Sequence, residues 1–341
     1  MITCGIVGVT GYAGMELLKL IGKHPEFTLV RAMSDSSAGL TLAQLYPWLE
    51  IKDLTLEPFR VDVLDDIDVI FLATPSGVSA QYVTQLTEYE GVVIDLSGDL
   101  RLPASSYETW YGKPAVAASL QAQAVYGLTE WNRDTIRSAN WIANPGCYAT
   151  AVALGLLPFV NGGWIDPNEI IVSACSGITG AGKGLSAKTH HARSNENVQL
   201  YKIHTHQHIP EIEQTLYAVS GTQATVSLST HLLPINRGIM ATMSVVPTLE
   251  QSEADWVDAL RQAYADEPFI RVQQGEPEIR TAVGSNYCDL WVYLDQRTNR
   301  LTIISVIDNM QKGAAGQAIQ NANVRFGLNE TAGLNEQPQY I

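Results

Sequence analysis

The stretch that most constrains the fold is residues 2–21. Residues 2–9 form an apolar, partly β-branched run that reads as a buried strand, and residues 15–21 carry a helical pattern. Between them lies Gly8-Val9-Thr10-Gly11-Tyr12-Ala13-Gly14. A strand that feeds a helix through a glycine loop belongs to an α/β domain with a parallel sheet. The glycines let the backbone approach a pyrophosphate held at the helix N-terminus. Gly8, Thr10, Gly11, Tyr12, Ala13 and Gly14 are therefore candidate dinucleotide contacts, in a G-x-x-G-x-x-G variant of the commoner fingerprint.

A second strand pattern, residues 27–33, ends in Ser34-Asp35-Ser36-Ser37, where a ribose-reading residue is expected. Asp35 fits NAD, the serine hydroxyls fit the 2′-phosphate of NADP, and a solvated polar turn explains the same residues. The pattern leaves the three open. Residues 67–73 and 92–96 are largely apolar, β-branched runs, each with a single aspartate, Asp68 and Asp95, of the kind found in parallel strands covered on both faces. Each ends in a polar turn, Thr74-Pro75-Ser76-Gly77 and Ser97-Gly98-Asp99-Leu100-Arg101, at the sheet edge where such folds bind ligands. Arg101 reads equally as an anion contact or a surface arginine.

Asn144-Pro145-Gly146-Cys147-Tyr148-Ala149-Thr150 leads directly into the apolar run 151–160. This spacing predicts a turn, then a helix with Cys147 in its first turn. There the free backbone N–H groups and the helix dipole favour a thiolate and can also stabilise an oxyanion on a carbonyl under attack. The other reading is a small buried cysteine facing the core.

After Cys147 the pattern changes to longer, half-exposed strands at 169–175, 222–229, 239–246, 289–294 and 301–307, with helices at 210–218 and 251–264. That texture predicts an α+β domain with a mainly antiparallel sheet. A last helix, ending near Phe326, is expected to return to the first domain. Ser176-Gly177-Ile178-Thr179-Gly180-Ala181-Gly182-Lys183-Gly184 is a glycine-rich loop with one cation, suited to bringing N–H groups and Lys183 to an anion. Five of the seven histidines, His190, His191, His204, His206 and His208, follow closely. His206 and His208 do not complete a recognisable metal set, so no metal is expected. They read either as an acid/base partner for Cys147 or as part of the helix entry at Pro210.

Charge and length set outer limits. The 341 residues allow two domains, and 35 acidic against 21 basic side chains give a formal charge of −14. Nucleic acid and anionic membrane are thereby disfavoured as partners, and an anionic substrate needs a local cluster of cations. Cys4, Cys147, Cys175 and Cys288 are widely spaced, without C-x-x-C pairing, which fits a reducing, cytoplasmic setting. The N-terminus has no basic region ahead of its apolar run and does not read as a signal peptide.

Taken together, the motifs resemble those of the N-acetyl-gamma-glutamyl-phosphate reductases, relatives of aspartate-semialdehyde and glyceraldehyde-3-phosphate dehydrogenases. The resemblance rests on the glycine loop, Asn144 with Cys147 and Tyr148, the His206-x-His208-x-Pro210-Glu211-x-Glu213 segment, and Asp308-Asn309 with Lys312-Gly313-Ala314-Ala315-Gly316-Gln317. It implies an NADP(H)-binding Rossmann domain over 1–147 and 312–341, and a catalytic and oligomerisation domain over 148–311. It implies that Cys147 attacks an acyl phosphate, that inorganic phosphate leaves to give a thioester, and that hydride from NADPH yields the semialdehyde in arginine biosynthesis. His206, with His208 second, is expected to move the proton. Ser34, Ser36, Thr74, Pro75, Gly182, Asn309 and Lys312 are expected around the cofactor, and Arg101, Asn144, Gly177, Lys183 and Arg237 around the substrate. The resemblance also implies a homodimer or homotetramer. The competing readings are a reductase of another acyl phosphate, such as aspartyl 4-phosphate, a non-catalytic NADP sensor, and a cysteine acyltransferase without cofactor.

Overall fold

The computed structural model describes residues 1–50 and 53–339. The chain divides into two units, one of Met1–Pro145 with Ala314–Asn335 and one running from Gly146 to Gly313 that also takes in residues 336–339.

The first unit holds six parallel strands: β1 (Ile2–Val7), β2 (Phe27–Met33), β3 (Val69–Leu72), β4 (Val92–Asp95), β5 (Ala124–Tyr126) and β6 (Trp141–Ala143). Their order is β2-β1-β3-β4-β6-β5. The strands β3 and β4 are buried at every position, as expected for a sheet covered on both faces. Ile70, Leu72, Val83, Leu86 and Val93 share one core cluster with Val7 and Met33. The direction of winding reverses between β1 and β3, and ligands of open α/β sheets lie at the carboxyl ends of strands flanking such a point.

The loop after β1 is shaped by two close approaches. Gly8 has φ +85°, and a side chain there would put its Cβ 2.6 Å from the Ala73 carbonyl oxygen, which follows β3. Gly14 lies in helix α1 (Tyr12–Lys23), where a Cβ would stand 2.3 Å from the Gly8 carbonyl and 2.7 Å from the Val9 Cα. The sequence therefore folds into a loop that no side chain could enter. After β3 the chain enters helix α2 (Ser79–Gln85), whose approach is fixed by Asp99: its carboxylate accepts from the N–H groups of Gly77 and Ala80 and from the Tyr107 hydroxyl.

The second unit is a seven-stranded mixed sheet. Its strands are β7 (Ile170–Ser176), β8 (Gln199–Tyr201), β9 (Val226–Leu232), β10 (Ile239–Val245), β11 (Ile270–Val272), β12 (Cys288–Asp295) and β13 (Arg300–Ile307), in the order β11-β12-β13-β10-β7-β9-β8. Four of its pairings are antiparallel, and two, β11 with β12 and β7 with β9, are parallel. Strand β9 begins at Val226, four residues later than the pattern predicts. The preceding helix, His208–Ser220, ends with Gly221 in the left-handed conformation, and the Ser220 hydroxyl accepts from the Thr222 N–H, which makes this stretch a turn.

Helix α3 (Cys147–Asn161) lies on one face of this sheet and is buried from Tyr148 through Val160. A Cβ at Gly155 would stand 2.6 Å from the Met243 Cε of β10, so the glycine lets helix and sheet approach closely. Helix α4 (His208–Ser220) packs against α3, and helix α5 (Glu253–Ala263) contributes Trp256 and Leu260 to the core. On the opposite face, side chains alternate outward along β7, β9 and β10, among them exposed Ile171, Ser173 and Ser227.

The last helix, α6 (Gly316–Arg325), belongs to the first unit and is buried from Gly316 through Val324. Its polar residues are bound within that unit: Asn321 accepts from the Thr129 hydroxyl at 2.7 Å and donates to the Gly127 carbonyl at 2.8 Å. No helix among the described residues is long and apolar enough to cross a membrane. Replacing Gly14 with Ala is expected to destabilise the first unit by about 1–3 kcal/mol through overpacking. It should also weaken nucleotide binding, as read by denaturant unfolding and by cofactor titration.

Candidate active site

In the first unit the predicted nucleotide residues gather at the carboxyl ends of β1, β2 and β3. Gly11 is the N-cap of α1 and offers no side-chain cap, so the first-turn N–H groups, which include those of Ala13 and Gly14, lack the partner that a serine or aspartate would supply. With Gly8 and Gly14 closing the loop beneath, this is a cradle for an anion that a Cβ would fill, and it suits a dinucleotide pyrophosphate. The hydroxyls of Thr10 and Ser34 are 3.3 Å apart, and those of Ser34 and Ser36 are 3.4 Å apart. Asp35 is engaged elsewhere: its carboxylate accepts from the Phe59 N–H at 3.1 Å and the Tyr82 hydroxyl at 2.7 Å. Pro75 ends the loop after β3 and accepts from the N–H groups of Val78 and Ser79, while the buried Thr74 hydroxyl has no partner among the described residues.

Arg101 and Asn144 are buried parts of the frame that leads into the cysteine. Arg101 donates from Nε to the Asn144 carbonyl at 2.8 Å and from Nη2 to the Leu96 carbonyl at 2.9 Å. The Asn144 amide donates to the Ala314 carbonyl at 3.0 Å and accepts from Asn321 at 3.1 Å.

In the second unit Cys147 is the first residue of α3, behind the uncapped N-cap Gly146. The Gly146 N–H donates to the Glu211 carboxylate at 2.7 Å. Glu211 is fully buried and stands one turn into α4, on the same face as His208, so the beginnings of the two helices are tied together. On its other side, Cys147 is pressed by Gly313, where a Cβ would lie 2.8 Å from that of Cys147. Gly313 falls within a turn of π-helix, Gln311–Ala315, a distortion common at functional sites.

His206 and His208 are both buried, with ring centroids 4.5 Å apart. Tyr148, the residue after Cys147, presents its ring edge to His206 at 5.2 Å, and Tyr201 of β8 lies 5.9 Å from the same ring. The Tyr201 hydroxyl donates to that of Tyr148 at 3.0 Å. Burial raises the pKa of both phenols, which keeps them neutral donors. Burial, then His208 and Lys202, push the His206 imidazole down to about 2, with Glu211 acting in the opposite direction.

The loops after β7 and β13 and the one that leads into β10 are sewn together by Asp308 and Asn309. Asn309 accepts from the Gly238 N–H at 2.8 Å and donates to the Thr179 hydroxyl at 3.0 Å. Asp308 accepts from the N–H groups of Gly284 and Met310 and lies 3.6 Å from Arg237. Gly177 fits under Asn236, whose carbonyl oxygen would be 2.5 Å from a Cβ there. Gly182, at φ +81°, and Lys183 are exposed, whereas Lys312 is fully buried with its ammonium 5.7 Å from the Phe269 ring. The sequence motifs contained Tyr148, Glu211 and Gly313 without giving them a place in the site, and Tyr201 was missed altogether; Glu211 had a signal in its i+3 spacing from His208.

Two family models match the chain: the NAD binding domain of semialdehyde dehydrogenase over residues 3–139, and the semialdehyde dehydrogenase dimerisation domain over residues 147–309. An N-acetyl-gamma-glutamyl-phosphate reductase of Exiguobacterium sibiricum is 54% identical over 341 residues, covering 99% of this chain and 99% of its own. One from Geobacillus kaustophilus is 44% identical over 339 residues, 98% of each. Among solved structures, aspartate semialdehyde dehydrogenase II from Vibrio cholerae has a TM-score of 0.73 at 19% identity, over 95% of this chain and 98% of that one, a likeness of fold.

Truncating Glu211 to Ala strands the buried Gly146 N–H and is expected to cost about 1–3 kcal/mol of stability. Glu211→Gln, which keeps an acceptor oxygen, is expected to cost less. Urea unfolding of the two variants beside the wild type checks the order.

Proposed function

Because the chain belongs to the N-acetyl-gamma-glutamyl-phosphate reductase family, we propose that it reduces N-acetyl-L-glutamyl 5-phosphate to N-acetyl-L-glutamate 5-semialdehyde and phosphate, with NADPH as donor, in arginine biosynthesis. The observation that carries the chemistry is Cys147 at an uncapped helix start braced by Glu211, followed by Tyr148, whose ring packs on His206 and His208. In this reading the Cys147 thiolate forms the bond to the acyl carbon, phosphate leaves, and a thioester remains on the enzyme. The cofactor, when bound, supplies the hydride that converts the acyl group to the aldehyde. Lys183 and Arg237, with the Gly177 backbone, are assigned to phosphate and carboxylate. Arg101 and Asn144 hold the chain that presents Cys147. Asn309 and Lys312 are assigned to shaping the nicotinamide end, and Gly182 to the loop beside it.

Two observations support NADP over NAD. The Asp35 carboxylate that would accept from a ribose hydroxyl is occupied by Phe59 and Tyr82. The neighbouring Thr10, Ser34 and Ser36 hydroxyls form a donor row suited to a phosphate. A reduced thiol as nucleophile fits the cytoplasm. We assign the open face of the second sheet, around Ile171, Ser173 and Thr242, to a second copy of the chain, in keeping with the dimerisation domain named for residues 147–309.

In the reverse direction, the protein is expected to reduce NADP in the presence of N-acetylglutamate semialdehyde and phosphate, with NAD and aspartate semialdehyde as poor alternatives and Cys147→Ala inactive. Equal turnover of aspartate semialdehyde would favour the aspartyl phosphate reading, and cofactor binding without turnover of either aldehyde would favour a sensor. Thr242→Arg on the open face is expected to shift the assembly toward monomer in sedimentation.

A further inference from the structure

Strand β2 ends at Met33, and Asp35 follows in the next turn, the place from which a carboxylate reads a ribose hydroxyl in sheets of this class. The turn belongs to the nucleotide side of the first unit, because the Ser34 hydroxyl stands 3.3 Å from that of Thr10 in the glycine loop. The Asp35 carboxylate is nevertheless committed to the protein itself. Its Oδ1 accepts from the Phe59 N–H at 3.1 Å and its Oδ2 from the Tyr82 hydroxyl at 2.7 Å.

The two donors differ in kind. Phe59 gives a backbone group, which any residue except proline supplies. Tyr82 gives a side chain, and the fold holds it in place. It lies in α2, which follows β3, whereas Asp35 follows β2, and the strand between these two is β1, with the glycine loop at its end. The Tyr82 ring packs on that of Phe59 with centroids 4.5 Å apart, and both rings lie against the core cluster of the parallel sheet. Burial, then Asp35, push the phenol up to about 12, so it stays protonated and donates.

We infer that Tyr82 sets the choice between the two dinucleotides: by holding the Asp35 carboxylate it withholds the acceptor that a ribose 2′-hydroxyl needs, and it leaves the hydroxyl row of Thr10, Ser34 and Ser36 to a 2′-phosphate. This rests on the cofactor reading above and names the residue that decides it. A carboxylate only accepts. It gains from a ribose hydroxyl, which donates, and it repels a phosphate, which carries charge of the same sign. The hold on Oδ2 therefore acts on NAD and NADP in opposite directions. Without the phenol, Oδ1 keeps its bond to the Phe59 N–H and the carboxylate stays at the end of β2, while Oδ2 is released to accept. Tyr82 touches no cofactor in this scheme and acts through the position of Asp35.

Tyr82→Phe keeps the ring on Phe59 and removes only the donor. In fluorescence titrations of the full chain, this variant is expected to bind NADPH about three- to tenfold more weakly than wild type and NADH about three- to tenfold more tightly, in line with the net worth of one hydrogen bond. The opposed signs are the deciding readout. A tyrosine that merely braces the fold would weaken both dinucleotides together, so a parallel loss, or no change in either, overturns the inference. Adding Asp35→Asn to Tyr82→Phe removes the charge and is expected to return the NADPH-to-NADH ratio toward that of wild type. A double variant as inclined to NADH as the single one also overturns the inference, because the effect would not pass through Asp35. A wild type that prefers NADH, with the ratio still moving as stated, sinks the NADP reading alone, and a wild type that binds neither dinucleotide overturns both. Failure to turn over the acyl phosphate bears only on the reductase reading, since these titrations require no turnover.

Discussion

The hydrogen bond from the Gly146 N–H to the Glu211 carboxylate is the contact on which the reactive part of the second unit depends. A fully buried carboxylate is costly unless it is well satisfied. Here it is satisfied by the backbone one residue before Cys147, so the carboxylate and the helix start fix each other. Both helices are in turn held by the core: α3 is apolar along nearly its whole length and is clamped against the sheet at Gly155, and α4 packs beside it. The position of Cys147 therefore follows from burial of a long apolar helix. The local motif alone would not place it.

The same economy appears around the histidines. A single backbone N–H, that of His208, holds the His206 ring at Nδ1, because the helix that begins at His208 turns that group toward the preceding ring. The rings of Tyr148 and Tyr201 close it in. In the first unit the corresponding device is steric: Gly8 and Gly14 bring the chain so close to itself that a side chain at either would meet backbone.

Much of this was legible in the sequence. The glycine loop, the buried strand runs and the apolar stretch after Cys147 each have one dominant local reading, because period and turn chemistry agree over many residues. The short strands β5, β6, β8 and β11, three residues each, were not legible. A three-residue strand has too few positions to display alternation, and β8 exists only because β9 lies beside it.

The sequence by itself determined the two-domain α/β and α+β class, the helix-start cysteine, the anion-binding loop and, through its motifs, the family. Those features are encoded in neighbouring residues, whose spacing sets backbone conformation directly. Only the tertiary structure decided the environment of each group. It turned Asp35 to Phe59 and Tyr82, set Arg101 against the backbone carbonyls of Leu96 and Asn144, placed Glu211 under Gly146, and set the His208 N–H on His206 Nδ1. Most of these contacts join residues far apart in the chain. Hydrogen-bond partners and desolvation are properties of what burial brings together, and linear spacing carries little record of them.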